Sequence, residues 1–136
     1  MTTSLVRDVI LRDGSALRLR SPAPADEAAI RAFFDAMNAQ DADAAVALTR
    51  VDVVIAFGPN EAQGHEALRE LATQVDEQLS AEITPVGFEL ESPSSVSVSA
   101  RRIDRWRSTG ETATERDVEA RFSLDADGAI ARVEFA

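Results

Sequence analysis

A charged pair within an otherwise apolar strand is the feature of this sequence best suited to chemistry. Alternate residues of the segment 94–107 share one face of the predicted strand, and they are Val96, Val98, Ala100, Arg102, Asp104 and Trp106. A guanidinium and a carboxylate side by side in a pocket can hold or polarise a substrate oxygen, and burial shifts their protonation. We therefore take Asp104 and Arg102 as candidate catalytic residues, with Trp106 beside them in the pocket.

The same side chains also have a purely structural interpretation. Arg102 and Asp104 can form an ion pair at the rim of the sheet while Trp106 covers the core, because structural ion pairs also occur at strand ends. The catalytic interpretation requires a water-accessible cavity with both charged side chains in its wall. If side chains fill the interior of the domain, only the structural interpretation remains.

The elements that must position this pair follow an α+β pattern. A first helix is predicted from the apolar spacing of Ile30, Phe33, Phe34 and Met37. Asp41 then caps a second, short helix. The run 51–57 is β-branched and apolar, which predicts a strand. Gly64 begins a third helix, whose predicted buried stripe is Leu68, Leu71, Ala72, Val75 and Leu79.

Four further strands are predicted at about 83–91, 94–107, 111–124 and 129–135, separated by turn sequences. The inward sets of the first, third and fourth are Val86, Phe88 and Leu90; Val118, Ala120, Phe122 and Leu124; and Ala131, Val133 and Phe135. Three helices on the concave side of a curved, mostly antiparallel sheet make an α+β cone. Its substrate pocket is predicted from Phe33, Phe57, Phe88, Ala120, Phe122 and Phe135, with Trp106, although these residues can equally fill a core.

An extra hairpin precedes this pattern. Residues 5–20 hold two alternating runs joined at Asp13-Gly14, a strong hairpin turn pair. We interpret residues 1–22 as an N-terminal hairpin extension that covers a sheet edge or meets a partner, and residues 23–136 as the main domain.

Composition excludes several classes of function. The chain of 136 residues has a net charge of −10, no cysteine and no tyrosine, and all its positive side chains are arginine. Nucleic-acid binding needs clustered cations, so it is not expected. No segment is an apolar membrane span and the N-terminus does not resemble a secretory leader, so we expect a cytoplasmic protein. Abundant alanine and arginine in place of lysine fit a bacterial genome rich in G and C.

The remaining candidate groups predict little chemistry of their own. His65, the one histidine, is expected to be solvated on the first turn of the third helix. Asp52 is expected to be a structural cap. Without cysteine, a lone histidine and dispersed carboxylates provide no spaced ligand set, so we expect no metal and no cofactor.

The stretch 33–71 resembles the start of the nuclear-transport-factor-two-like superfamily, also called SnoaL-like, and the rest of the chain keeps that superfamily's element order from residue 24 to residue 136. The matching positions are Ala36, Asn38, Asp41, Ala47, Leu48, Asp52, Gly64, Glu66, Ala67 and Leu68. The resemblance implies a cystatin-like cone with an internal pocket. Residues 5–40 also resemble the opening of GNAT acetyltransferases, but no Gly-rich pyrophosphate loop follows, which leaves acetyl-CoA chemistry unsupported.

The nearest motif resemblance is to the limonene-epoxide-hydrolase and polyketide-cyclase branch. There an R-x-D motif supplies an arginine that orients carboxylates and an aspartate that protonates the epoxide, which implies those roles for Arg102 and Asp104. The branch's second aspartate and its tyrosine and asparagine correspond to Phe135, Ile55 and Phe57 here. The positions of the ketosteroid isomerase base, tyrosine and protonated aspartate are occupied by Phe57, Phe33 and Ala120.

Two functions follow as expectations. The first is a cofactor-independent hydrolase, cyclase or isomerase acting by acid–base chemistry on an apolar polyketide- or terpenoid-like molecule, with Asp104 as proton donor or, if Arg102 keeps it anionic, as base. The second is a non-catalytic ligand-binding or dimerisation module. We expect a homodimer through the open face of the sheet, where Ser97, Ser99, Arg101, Ile103 and Arg105 meet the acidic face of the neighbouring strand or of a partner.

Overall fold

The computed structural model describes residues 7–10, 16–19 and 22–135. The α+β class expected from the sequence is confirmed, with three helices and a six-stranded sheet. The elements are, in chain order, β1 (Arg7–Ile10), β2 (Ala16–Leu19), α1 (Pro24–Asn38), α2 (Ala42–Ala47), β3 (Thr49–Phe57), β4 (Asn60–Gln63), α3 (His65–Thr73), β5 (Leu79–Ser92), β6 (Ser95–Trp106), β7 (Thr112–Leu124) and β8 (Ile130–Phe135).

The large sheet has the strand order β4-β3-β8-β7-β6-β5. All its neighbours pair antiparallel except β3 and β8, which run parallel. β8 therefore lies in the middle of the sheet although it follows every other strand in the sequence. The long strands β5, β6 and β7 form one side of the sheet, and they carry the charged pair.

The strands β1 and β2 pair antiparallel as a separate two-stranded sheet, with Arg7 opposite Leu19. The predicted turn at Asp13-Gly14 lies outside the described residues. The division of the chain into a hairpin extension at 1–22 and a domain at 23–136 stays a prediction.

Helix α1 supplies the centre of the core. Pro24 stands in its first turn, where proline's missing N–H costs nothing, and Asp26 and Glu27 lie at its positive end. Phe33 and Phe34 are almost fully buried and meet Phe122 of β7 edge to face, with ring centroids 5.6 and 5.5 Å away. This aromatic contact holds α1 against the concave face of the sheet.

The short connection after α1 follows the predicted cap chemistry. Asp41 precedes α2, and its side chain accepts a hydrogen bond from the backbone N–H of Ala44 at 3.1 Å. Gln40, just before it, has a φ of 57°, which turns the chain sharply between the two helices.

Three sequence expectations about the elements are wrong. Helix α3 ends at Thr73 rather than continuing to Leu79, so Val75 is 59% exposed and Leu79 begins β5. The side chain of Asp76 accepts from the backbone N–H groups of Gln78 and Leu79, which replaces helical hydrogen bonds with a turn.

The expected inward position of Val86 is also wrong, because this side chain is 67% exposed. The pairing of β5 with β6 shifts by one residue between Pro85 and Gly87, and such a bulge moves a side chain to the other face. Phe88 and Leu90 remain packed against the core, as expected. In β8 the fully buried residues are Ile130 and Val133 rather than a strictly alternating set, since a register shift also interrupts the pairing of β7 with β8.

Candidate functional site

The charged pair predicted on β6 is an ion pair in the folded chain. Arg102 Nη2 lies 3.1 Å from Asp104 Oδ1, and Arg102 Nε lies 3.2 and 3.3 Å from the two carboxylate oxygens. Asp104 is 7% exposed, whereas the Arg102 side chain is 35% exposed. The carboxylate is therefore buried beneath a guanidinium that still reaches solvent.

The neighbouring strand completes the hydrogen bonding of Asp104. Asp104 lies directly opposite Thr114 of β7, and Thr114 Oγ1 donates to Asp104 Oδ2 at 2.8 Å. Both carboxylate oxygens thus have donors, which is what burial of a charged group demands. The arrangement fixes the carboxylate between two strands.

The pKa of Asp104 lies below the ordinary value for an aspartic acid. Burial by itself raises the pKa of this carboxyl, but hydrogen bonds from Arg102 and Thr114 and the positive charges of Arg102 and Arg116 lower it and outweigh burial. Asp104 is therefore an anion at neutral pH. It can accept a proton or orient a water molecule, but it has no proton to donate.

A polar cavity of about 560 Å³ opens beside the ion pair. It lies between the end of α1, the segment after α3 and the rim of β5 and β6. Its polar lining consists mainly of Asn38, Gln40, Gln74, Asp76, Arg102 and Asp104. Asp104 therefore faces a space that water can occupy, as the catalytic interpretation requires.

A second, more apolar cavity of about 440 Å³ lies between α1, α3 and the concave face of the sheet. Its apolar wall includes Phe33, Ile55, Phe57, Leu68, Val118 and Phe135. Its charged lining includes the arginines Arg102 and Arg116, and Glu119. An apolar concavity with a few charged groups has the character of a small-molecule site, and its volume lies within the usual range of about 300 to 1,000 Å³.

The two cavities are contiguous. Met37, Leu71, Gln74 and Arg102 line both of them. Because Arg102 stands at this boundary, a molecule whose body fills the apolar cavity can place a polar end against the guanidinium.

The structure places the predicted pocket residues in different environments. Phe33, Phe57 and Phe135 line the apolar cavity, and the rings of Phe57 and Phe135 stack with centroids 5.5 Å apart. Phe122 and Ala120 line neither of these two cavities; they are 0% and 5% exposed and belong to the core cluster, which is the alternative that the sequence leaves open for such residues.

Two further predicted pocket residues lie outside both cavities. Phe88 is covered by Arg31, whose guanidinium carbon lies 4.7 Å above the ring. Trp106 is 43% exposed and lines a shallow depression beside Gln78, so its predicted place in the pocket is wrong. Trp106 is the last residue of β6, and just before it the pairing with β7 shifts by one residue, at Ala113 of β7, while the pairing with β5 stays regular.

One charged residue of the apolar cavity was missed by sequence reasoning. Arg116 lies directly opposite Arg102 on β7. The inward alternation of β7 was read from Val118 onward, and extending it by one more step toward the start of the strand reaches Arg116.

The remaining acid–base candidates lie elsewhere. His65 is half-buried rather than solvated, with its Nε2 3.3 Å from the backbone oxygen of Thr49. Glu134 pairs with Arg132 at 3.1 Å. Asp52 pairs with Arg50 at 2.9 Å, and this hydrogen bond holds the pKa of Asp52 below its ordinary value.

The described part of the chain contains neither a metal-binding cluster nor a membrane-spanning helix. Residues 22–135 and the two short N-terminal strands contain no group of three or more His, Cys, Asp or Glu side chains arranged to hold a metal ion. Within the same residues, no helix has both the length and the apolar character that a membrane crossing requires.

Comparison with known families gives a match over most of the chain. The family model described as the SnoaL-like domain matches residues 30–133. This range begins within α1 and ends in β8, so it includes the ion pair and, apart from Phe135, every residue that lines the two cavities. No curated protein sequence matches the chain.

Solved structures share the fold at low sequence identity. Rv0760c from Mycobacterium tuberculosis, in complex with estradiol-17β-hemisuccinate, has a TM-score of 0.66 and 16% identity over 82% of this chain and 92% of its own. TerC, co-crystallised with polyporic acid, has a TM-score of 0.69 and 20% identity over 82% and 90%. A cystatin-fold protein from Novosphingobium aromaticivorans has a TM-score of 0.67 and 19% identity over 84% and 99%. These similarities establish a shared cystatin-like fold.

Proposed function

Because this chain belongs to the SnoaL-like domain family, we propose that it binds an apolar small molecule in the apolar cavity and acts on it by acid–base chemistry at Asp104. The observation that carries the proposal is the position of Arg102, which lines both cavities and is paired with Asp104 in the wall of the polar cavity. The substrate class is a polyketide- or terpenoid-like molecule with a polar end. The reaction types are those of a cofactor-independent hydrolase, cyclase or isomerase.

The lowered pKa of Asp104 argues against a role as proton donor, and it leaves an ionised carboxylate whose low pKa makes it a weak base. An anionic carboxylate takes a proton from the substrate or from a water molecule, whereas the acid role implied by the epoxide-hydrolase resemblance needs a protonated carboxyl. Arg102 orients the carboxylate through its hydrogen bonds and stabilises negative charge that develops on a substrate oxygen. This assignment favours proton abstraction, as in isomerisation or cyclisation, over protonation of an epoxide.

Solved relatives support the choice of ligand. One binds estradiol-17β-hemisuccinate and another was crystallised with polyporic acid. These molecules are therefore suitable first probes for the apolar cavity.

The alternative function is a ligand-binding module without catalysis. It is favoured by the hydrogen bonds that Asp104 already accepts from Arg102 and Thr114, and by Phe33, Phe57 and Ala120 at positions that carry catalytic groups in ketosteroid isomerases. The two functions differ in whether a bound molecule is recovered unchanged.

The test is a thermal-shift screen with estradiol, estradiol-17β-hemisuccinate, polyporic acid and terpenoid epoxides, followed by product analysis of every ligand that binds. A ligand specific for the native state raises the unfolding temperature. Leu71→Trp inserts a large side chain at the junction of the cavities and is expected to weaken binding at least about tenfold. Val86→Trp places the same residue at a site that is 67% exposed and should leave binding unchanged.

Two outcomes decide between the functions. Conversion of a bound ligand supports the enzyme, and binding without conversion supports the module. Binding of no ligand in the screen, or equal binding to Leu71→Trp and wild type, contradicts the proposed site.

A homodimer and a cytoplasmic location complete the proposal. The outer face of β6 and β7 presents arginines and carboxylates in alternation, and a two-fold axis can place such a face against itself. The arginines of this face were expected to meet acidic side chains of the neighbouring strand or of a partner. Arg101 meets those of the neighbouring strand, because it pairs with Glu115 at 2.6 Å and with Asp117 at 3.0 Å.

A further inference from the structure

We infer that the ligand of the apolar cavity carries an anionic group, a carboxylate in the simplest case, which is held by Arg102 together with Arg116. This inference rests on the proposed function, because it specifies the chemistry of the molecule that the cavity binds. Four observations on the rim of the cavity support it.

The first observation is the placement of the two guanidinium groups. Arg102 of β6 and Arg116 of β7 are directly opposite each other in the antiparallel pair, and both line the apolar cavity. Side chains at opposite positions of neighbouring strands lie on the same face with their Cβ atoms about 4.5 to 5.5 Å apart. Like charges in this relation repel each other, and the ion pair of Arg102 with Asp104 offsets only part of this repulsion.

The second observation is the difference between Arg116 and the other arginines. Among residues 22–135, every other arginine forms an ion pair with a carboxylate or, in the case of Arg107, donates to backbone oxygens. Arg116 has no hydrogen bond and no ion pair within the described part of the chain. Its guanidinium is therefore available to a ligand.

The third observation is the charge balance at the rim. Asp104 forms an ion pair with Arg102, and Glu119 is the second carboxylate beside the two arginines, so these four side chains together carry no net charge. Glu119 reaches the rim from the outer face of β7, but it forms no ion pair with Arg116 among the described contacts. Arg116 is therefore a cation at the rim without a directly paired carboxylate in the described part of the chain, and an anionic group on the ligand can pair with it.

The fourth observation concerns the guanidinium N–H donors that have no partner among the described residues. Nε and Nη2 of Arg102 are engaged by Asp104, which leaves Nη1 without a partner among the described residues. This atom and the whole fork of Arg116 can donate to the oxygens of one carboxylate, since guanidinium groups match carboxylates with paired hydrogen bonds. The apolar body of the ligand then lies against Phe33, Ile55 and Phe135.

The test uses matched pairs of probes that differ in one charge. Fluorescence titration compares 1-pyrenebutyrate with 1-pyrenebutanol, and competition against the bound probe compares estradiol-17β-hemisuccinate with estradiol. Wild type is expected to bind the acid of each pair at least about tenfold more tightly, because hydrogen bonds to charged groups are worth more than neutral ones. This preference should decrease as salt is added.

Arg116→Gln is expected to reduce the preference for the acid about tenfold while leaving the affinity for the neutral probe unchanged. Arg116→Lys, which keeps the charge but not the planar fork, should retain part of the preference. Arg105→Gln is the matched control, because it removes a positive charge that is paired with Glu82 on the outer face. It should alter neither affinity.

The outcomes separate this inference from the proposed function. Equal binding of acid and neutral probe, or an unchanged preference in Arg116→Gln, overturns the anionic ligand and leaves the apolar site intact. Failure of both members of both pairs to bind overturns the site itself, and the inference with it. Thermal unfolding of each variant establishes that it is folded before titration.

Discussion

At the scale of single residues, the ionisation of Asp104 links the candidate site to stability. The pKa of Asp104 in the folded chain lies below that of an unfolded aspartic acid, which is about 3.9. The ionised carboxylate therefore stabilises the fold above that pH, and this contribution is lost as the pH falls through the folded-state pKa. Lowering the pH through this pKa should therefore decrease the stability of the fold and also protonate Asp104, the proposed base.

Asp104→Asn tests both consequences of the charge. Replacement leaves Arg102 without its anionic partner, so the free energy of unfolding at pH 7 is expected to fall by about 1 to 3 kcal/mol. Turnover of any substrate found in the screen should be lost, because an amide cannot accept the proton. Urea unfolding should show that the difference between wild type and variant begins to shrink as the pH falls below about 3.9, the unfolded-state pKa, and disappears below the lower folded-state pKa of Asp104.

Asp43→Asn is the control for this comparison. The Asp43 side chain is 88% exposed and pairs with Arg69 at the surface, so its replacement should change stability by less than about 1 kcal/mol. A stability difference for Asp104→Asn that stays constant from pH 7 to about pH 3 would contradict the assigned ionisation.

The sequence predicts some of these residues and misses others for local reasons. Alternation along β6 identifies Arg102 and Asp104, since no register shift interrupts the face between Val96 and Asp104 in the pairing with β7. The same alternation does not place Trp106 in the pocket, because Trp106 is the last residue of β6 and lies beyond the cavities although the strand keeps its register with β5. Whether an inward phenylalanine lines a cavity or fills the core depends on the tertiary packing of the opposing helix, as Phe33 and Phe122 show.

At the scale of elements, an asparagine connects the helices to the strand beside the candidate site. Asn38 is the last residue of α1, and its Nδ2 donates to the backbone oxygen of Ile83 at 2.8 Å while its Oδ1 accepts from the Ile83 N–H at 2.9 Å. Ile83 lies opposite Arg102 on the edge strand β5. The side chain thus satisfies exposed backbone groups of an edge strand at the level of the ion pair.

Asn38→Ala is expected to lower the free energy of unfolding by about 1 to 3 kcal/mol, because two partly buried backbone groups lose their partner. Urea denaturation measures this loss, and hydrogen exchange should show faster exchange of the Ile83 amide. Gln40→Ala removes a single, exposed hydrogen bond to the Gln74 backbone and should cost less. If both variants lost the same free energy of unfolding, the paired hydrogen bonds of Asn38 to Ile83 would have no special role.

The sequence predicts a helix or strand well when the residues that determine it lie within that element or directly beside it. The presence of α1 and α2 is predicted correctly because the apolar spacing of the first helix and the Asp41 cap of the second lie within the helices or directly beside them. The end of α3 was missed because the side chain of Asp76 stops the helix through a turn that the apolar pattern does not reveal. Strand β4 is polar and short, and it is a strand because it pairs with β3.

At the scale of the whole molecule, the outer face of the sheet neutralises most of its charge within the chain. Besides the pairs of Arg101, Arg105 pairs with Glu82 at 3.1 Å and Arg121 with Glu91 at 2.6 Å. Exposed pairs of this kind add little stability, but they set which surfaces attract each other. The proposed homodimer therefore depends on this pattern.

Arg101→Glu tests the homodimer. The change places three carboxylates together on the outer face, because Glu115 and Asp117 lose their cation. We expect sedimentation velocity to show a dimeric wild type and a monomeric variant whose apolar cavity still binds ligand. A wild type that sediments as a monomer at all accessible concentrations contradicts the proposed dimer.

The central position of β8 has a consequence for synthesis of the protein. β3 and β7 are joined only through β8, which the ribosome makes after all the other strands. Until Ile130–Phe135 leaves the exit tunnel, the nascent chain exposes two open sheet edges with unpaired backbone groups. Chaperone contact should therefore persist until translation passes β8, and the folded cone should form in one late step.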